Sequence, residues 1–216
     1  MNNDYRLTKS CPQFCNIKEK KQELTNKIKR EHPRCKNMYN KIHLRKENYY
    51  HLFSEIYNHR CAYCGASTNF SGILLFEIDH FICESSFSND TKGKAEAGKT
   101  SNLIFSCYTC NREKGQLHIT QQYFDLLNPD NGAITNIFFR DELFNIKISE
   151  RFQGDKFIND FHSKLLLGNQ IRRLDYLLLE IQQLVDSLCD DSEYSGPLYK
   201  CINLLIFKKN NMCYPQ

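Results

Sequence analysis

Apolar positions along the chain follow a helical period at both ends and break into short runs in the middle. Residues 17–31 are strong helix formers with opposite charges at helical spacing. Only Ile17, Leu24 and Ile28 supply an apolar stripe there, and His32-Pro33 ends the helix. A second helix is expected from about Ile42 to Tyr57, with Tyr49, Leu52, Phe53 and Ile56 on one face. Residues 61–82 read as a short hairpin containing the run Ile73-Leu74-Leu75-Phe76. Residues 83–101, rich in Ser, Lys, Gly and Asp, read as a mobile loop. Its Lys92, Lys94 and Lys99 lie within reach of a phosphate or merely aid solubility. A helix is expected to begin at Asn111.

Beyond Leu127 the pattern changes. Asn128-Pro129-Asp130-Asn131-Gly132 is a turn, followed by two strands at 137–139 and 143–148. A long helix follows from about Asn169 to Cys189. Its Ile171, Leu174, Leu178, Ile181, Val185 and Leu188 repeat in steps of three and four. That stripe serves core packing or helix pairing, and its short length favours the core. The fold class is α+β. Three regions are expected: a basic helical segment over 1–56, a central domain over 57–127, and short strands plus helices over 128–216.

The chain has 216 residues, enough for a real core, and no Trp. No stretch approaches the run of about 20 apolar residues that spans a bilayer, so no membrane partner is expected. The start, Met1 to Tyr5, carries no apolar signal segment, which makes the cytoplasm the default location. The net charge of +4 is uneven: residues 1–60 carry a balance of +8, and residues 61–127 and 128–216 carry −2 each. A basic arm beside a metal-dependent centre suits a polyanion, although a solvated Lys-rich helix has the same composition.

The 11 cysteines are an odd number, and four stand in close pairs, Cys61-Ala-Tyr-Cys64 and Cys107-Tyr-Thr-Cys110. With no signal segment, those pairs point to metal and not to disulfides. Four thiolates close a tetrahedral structural Zn²⁺ site that holds a small fold together. A second site from Cys11, Cys15, Cys35 and His32 is a weaker option against simple burial of isolated cysteines. Between the pairs lies Glu77-Ile-Asp79-His80, and the second pair runs into Asn111-Arg112-Glu113-Lys114-Gly115. These side chains suit a hard cation and a base. Mg²⁺ takes oxygen ligands and keeps several waters, so Asp79 and Asn111 suffice to hold it. His80 has the pKa range to take a proton from water. Glu77 either supports the metal shell or is a surface strand residue, and His118 is an alternative ligand.

In this order Cys-x-x-Cys, Ile-Asp-His, Ser-Asn-Leu and Cys-x-x-Cys-Asn-x-x-Lys-Gly resemble the HNH endonucleases, over about residues 57–118. The resemblance implies a ββα-metal core stapled by the four-cysteine zinc site and flanked by helical regions. It implies His80 as general base, Asp79 and Asn111 on catalytic Mg²⁺ (with Mn²⁺ as the alternative), and Asn102 bracing the loop that orients His80. Arg112 and Lys114 are then expected on nucleic acid, with DNA ahead of RNA. Asn111 stands where the family often has His, which argues against softer transition metals as the catalytic ion. Tyr49-Tyr50-His51-Leu52-Phe53, Leu127-Asn128-Pro129 and Leu166-Leu167-Gly168-Asn169 resemble a subgroup from Septu-type and retron-linked anti-phage systems. That likeness implies an ATPase partner. The competing readings are a non-catalytic zinc-knuckle module that binds nucleic acid and an interaction subunit active only in complex.

Overall fold

A computed structural model describes residues 4–188 and 193–213. The first helix, α1 (Ile17–Glu31), buries Ile17, Lys21, Leu24, Thr25 and Ile28 on one face. Its short apolar stripe is extended by the stem of Lys21, whose ammonium reaches Asp130 and the Leu103 carbonyl. A single turn, α2 (Tyr39–Ile42), leads to α3 (Asn48–Ile56). From α3, Tyr50 and Phe53 pack with Tyr57, Phe76 and Phe105 in one aromatic cluster, each no more than 1% exposed. Burying a side chain of this size contributes roughly 1.5–3 kcal/mol.

The expected hairpin over 61–82 does not form. A single bridge joins Arg60 to Ser67, then α4 (Thr68–Ser71) is capped by the Ser67 hydroxyl. Gly72, at φ 68°, turns the chain into a 3-10 turn over Ile73–Leu75. Leu74 and Leu75 are 69% and 53% exposed, so this apolar run is not a buried strand. The strand begins one residue later as β1 (Phe76–His80).

The segment 83–101 is also more ordered than its composition suggests. Asp90 accepts from the Gly93 amide and starts α5 (Thr91–Ala97). The partner strand of β1, β2 (Leu103–Cys107), lies antiparallel to it with His80 opposite Leu103 and Phe76 opposite Cys107. All of β2 is buried. It runs directly into α6 (Tyr108–Lys114), which starts three residues before Asn111 and stops at Gly115 with φ 51°. The central unit is therefore an antiparallel pair followed by a helix.

After α7 (Gln121–Leu127) and α8 (Ile134–Ile137), strands β3 (Phe138–Arg140) and β4 (Ile146–Ile148) pair antiparallel. The first is shifted by one residue from the expected 137–139, because Ile137 ends α8, and the second is shorter than the expected 143–148, because Phe144 adopts φ 64° in the turn. Then come α9 (Lys156–Lys164), capped by Asp155, and α10 (Gln170–Asp186), capped by Asn169. The expected end of α10 at Cys189 lies outside the described residues. Its Leu178 and Val185 meet Ile202 of α11 (Ser195–Cys213) in a small second cluster, so the stripe packs within this chain. No helix among the described residues is long and apolar enough to cross a membrane.

Candidate active site

The sulfurs of Cys61, Cys64, Cys107 and Cys110 lie within 4.8 Å of one another, and all four residues are buried. Zn–S bonds of about 2.3 Å in a tetrahedron separate the sulfurs by about 3.8 Å. Cys64 Sγ and Cys107 Sγ stand 3.8 Å apart. The donor set, its closure and its spacing fit structural zinc. The knuckle before α4 supplies two sulfurs, the end of β2 one and α6 one. Such a site ties the strand pair to the helix.

Arg172, near the start of α10, completes this cluster from outside. Its Nη1 donates to Cys107 Sγ at 3.5 Å, and its Nη2 to Cys110 Sγ at 3.2 Å and to the Leu165 carbonyl at 3.3 Å. Burial opposes its charge, and the surrounding sulfurs outweigh burial and hold its pKa up. Four thiolates around a divalent ion carry a net charge of −2, so a buried guanidinium there is electrostatically matched. The other candidate zinc ligands are not assembled. Cys11 is engaged by Thr8 and Gln183, Cys35 by the Asn37 carbonyl, and Cys15 is exposed.

On β1 the side chains alternate, so Glu77 and Asp79 share one face. Asp79 is buried. Its Oδ2 accepts from the Tyr63 hydroxyl at 2.6 Å and its Oδ1 from Lys114 Nζ at 2.9 Å. Burial pushes its carboxyl pKa up, while Lys114 and Tyr63 pull it back. Glu77 accepts from Asn111 Nδ2 at 2.6 Å and from Arg112 Nη2 at 2.8 Å, with Arg45 3.6 Å away. The Asn111 side-chain oxygen accepts no hydrogen bond among the described residues. Asp79, Glu77 and Asn111 are oxygen donors of the type a hard cation takes, and both carboxylates are ion-paired within the protein. An ionised carboxylate offers about four acceptor directions, and Asp79 uses two of them.

His80 ends β1. Its ring lies 4.4 Å from that of Tyr39, which in turn stacks on His43 at 4.6 Å. Its imidazole nitrogens have no hydrogen-bond partner among the described residues, and the side chain is half-buried. Burial lowers its pKa. Lys114 and His43 lower it further, and Glu84 opposes them. The neutral, proton-accepting form is thereby favoured at neutral pH. Asn102 closes the loop after His80: its Oδ1 accepts from the Ile82 amide at 2.9 Å, and its Nδ2 donates to the carbonyls of Ile82 and Ala97.

Two of the residues singled out from the sequence have other partners here. Lys114 does not face solvent as a phosphate contact: it is 1% exposed, with Nζ on Asp79 and on the His80 carbonyl. The apolar wall around Asp79 recruits it as a counter-ion. His118 is exposed, with Nδ1 on the Ser86 hydroxyl at 3.2 Å. Arg112 remains exposed beside Glu77 and over the Tyr108 ring. The sequence reading missed Tyr63, Tyr39 and Arg172. Tyr63 sits inside the first Cys pair and was open to notice. Tyr39 and Arg172 come from distant segments with no local signal.

A family model, HNH endonuclease, matches residues 61–117, which is 57 of the 216 residues. The match covers both Cys pairs, β1, β2 and α6, and it supports an HNH nuclease domain in this stretch. Members of that family are metal-dependent and act on nucleic acid. No curated protein and no solved structure matches the chain.

Proposed function

We propose that this protein is a metal-dependent endonuclease that hydrolyses phosphodiester bonds, in DNA ahead of RNA. The observation that carries the reading is a half-buried imidazole whose nitrogens have no partner among the described residues, directly after Asp79 on the strand that carries Glu77, itself bonded to Asn111, in the stretch that matches the HNH endonuclease model. His80 takes the proton from the attacking water. A bound Mg²⁺ or Mn²⁺ supplies positive charge to the phosphate and to the leaving oxygen. Asp79 and Asn111 are the residues that would hold it, with Glu77 beside them. Tyr63 and Lys114 fix Asp79, and Asn102 fixes the loop after His80. The four cysteines are assigned to structural Zn²⁺.

The test is plasmid nicking in Mg²⁺ or Mn²⁺ by the native protein and His80→Ala. A loss of roughly 10²–10⁴-fold is expected for removal of a general base. Equal rates sink the assignment. A second reading is favoured by Lys114, Arg112 and Arg45, which already neutralise both carboxylates. It is a nucleic-acid-binding module without catalysis, and it predicts binding with no cleavage under any divalent ion. On the sequence resemblance we assign the protein to bacterial anti-phage defence, in the cytoplasm, with an ATPase partner. Cleavage that appears only when a neighbouring ATPase is co-expressed supports that assignment.

A further inference from the structure

A groove of about 920 Å³ has Tyr39, the ring neighbour of His80, on its wall, and the basic N-terminal segment lines most of it. It runs between residues 31–41 on one wall and α5 with Glu84 on the other. Arg34, Lys36 and Lys41 come from the first wall and Lys94 from the second. The carboxylates among its lining residues are Glu31 and Glu84, so the lining is net positive. Glu31 is already engaged by the Tyr49 hydroxyl.

The four cations have no ion-pair partner among the described residues. That separates them from the other cations around the site. Lys114, Arg112 and Arg45 are committed to Asp79 and Glu77. Unpaired cations concentrated along one concave surface raise the local potential for an anion. The groove adjoins the candidate base through Tyr39, which lies on its wall and whose ring is 4.4 Å from that of His80. Glu84 is on the lining too and is close enough to act on the His80 charge. Three cations of the basic segment 1–60, Arg34, Lys36 and Lys41, are thus gathered in this groove.

We infer that this groove is the track for the phosphate backbone of the nucleic-acid strand being cut, with Arg34, Lys36, Lys41 and Lys94 as its phosphate contacts. The inference rests on the nuclease reading for its substrate class. The contacts position the strand and carry no base information, so binding is insensitive to sequence. Lys36 and Lys94, on opposite walls, draw the backbone between them toward Tyr39 and His80. The contribution of each cation is a counterion-release effect, weakened by salt.

The experiment is fluorescence anisotropy with the full chain and no added divalent ion, on three labelled probes: a DNA single strand, the matching RNA and the DNA duplex. The native protein is compared with Lys36→Glu/Lys94→Glu, and circular dichroism establishes that the variant is folded. Both side chains are exposed, and neither is part of the catalytic cluster. Affinity for the preferred probe is expected to fall at least about tenfold, and the salt slope to decrease by about one for each cation removed. The probe with the largest change identifies the strand type. Lys18→Glu/Lys29→Glu on α1 is the control for net charge and is expected to change affinity much less. Native affinity and slope in the groove variant, or an equal loss in the control, overturn the inference. His80→Ala binds normally if the groove is the track. Groove-dependent binding with no cleavage in Mg²⁺ or Mn²⁺ removes the nuclease reading and leaves the groove standing.

Discussion

Arg172 Nη2 lies 3.2 Å from Cys110 Sγ, which anchors the start of α10 to the four-cysteine cluster 62 residues earlier in the chain. A guanidinium against two thiolates favours their deprotonated form and matches the charge of a filled site. Arg172→Gln is therefore expected to weaken zinc retention by about 10–100-fold, the usual effect of removing an outer partner of a metal ligand. Competition with a chromophoric chelator measures it, and unchanged affinity refutes the role. Cys61→Ser serves as the reference for loss of the metal.

The four-cysteine cluster was legible in the sequence because its spacing is local: two Cys-x-x-Cys pairs need only a turn each. Asp79, His80, Asn102 and Asn111 were legible as residue types, and their neighbours were not. Lys114 reads as a surface cation from its place after Asn111-Arg112-Glu113. Only the tertiary wall made by Tyr63 and β2 turns it inward. The run Ile73-Leu74-Leu75 read as a strand because it is apolar, yet Gly72 redirects the chain and leaves two of its leucines in solvent. Arg172 on the thiolates and Tyr39 on His80 are contacts between remote segments, to which periodicity and spacing are blind.

Tyr63 connects the zinc knuckle to the carboxylate, since its hydroxyl donates to Asp79 at 2.6 Å in a buried setting. Tyr63→Phe keeps the ring and removes the donor. A hydrogen bond to a charged group is worth about 1.5–3 kcal/mol, so urea unfolding of the zinc-loaded variant is expected to show a loss of that order. A change below about 0.5 kcal/mol would mean that Lys114 alone satisfies Asp79.

His162 supplies a pH-dependent contribution away from the site. Burial lowers its pKa, with Lys147 adding to the effect, and outweighs the hydrogen bond from its Nε2 to the Ile146 carbonyl at 3.0 Å, which favours the charged form. The folded state takes up its proton at lower pH than the unfolded chain, where the ordinary value is about 6.5. Its contribution is fully present above that value and is lost as pH falls toward the folded pKa. Between pH 7 and 5 the native protein is expected to lose more stability than His162→Gln. Parallel curves for the two proteins would show that this residue is not responsible.

Tyr39 is expected to act as a positioning residue for His80. Its ring lies 4.4 Å from the imidazole and is itself stacked on His43, so it limits how the imidazole tilts. Tyr39→Ala removes that support, and a misplacement of about 1 Å in a catalytic group costs on the order of 10²-fold in rate. Tyr39→Phe retains the ring and is expected to restore most of kcat. A purely structural role for Tyr39 would reduce folded protein in both measures, so active-site concentration and thermal stability are determined alongside turnover. The positioning role fails if Ala and Phe lose kcat equally. It fails as well if KM rises with kcat unchanged, since the ring would then serve substrate binding and not the orientation of His80.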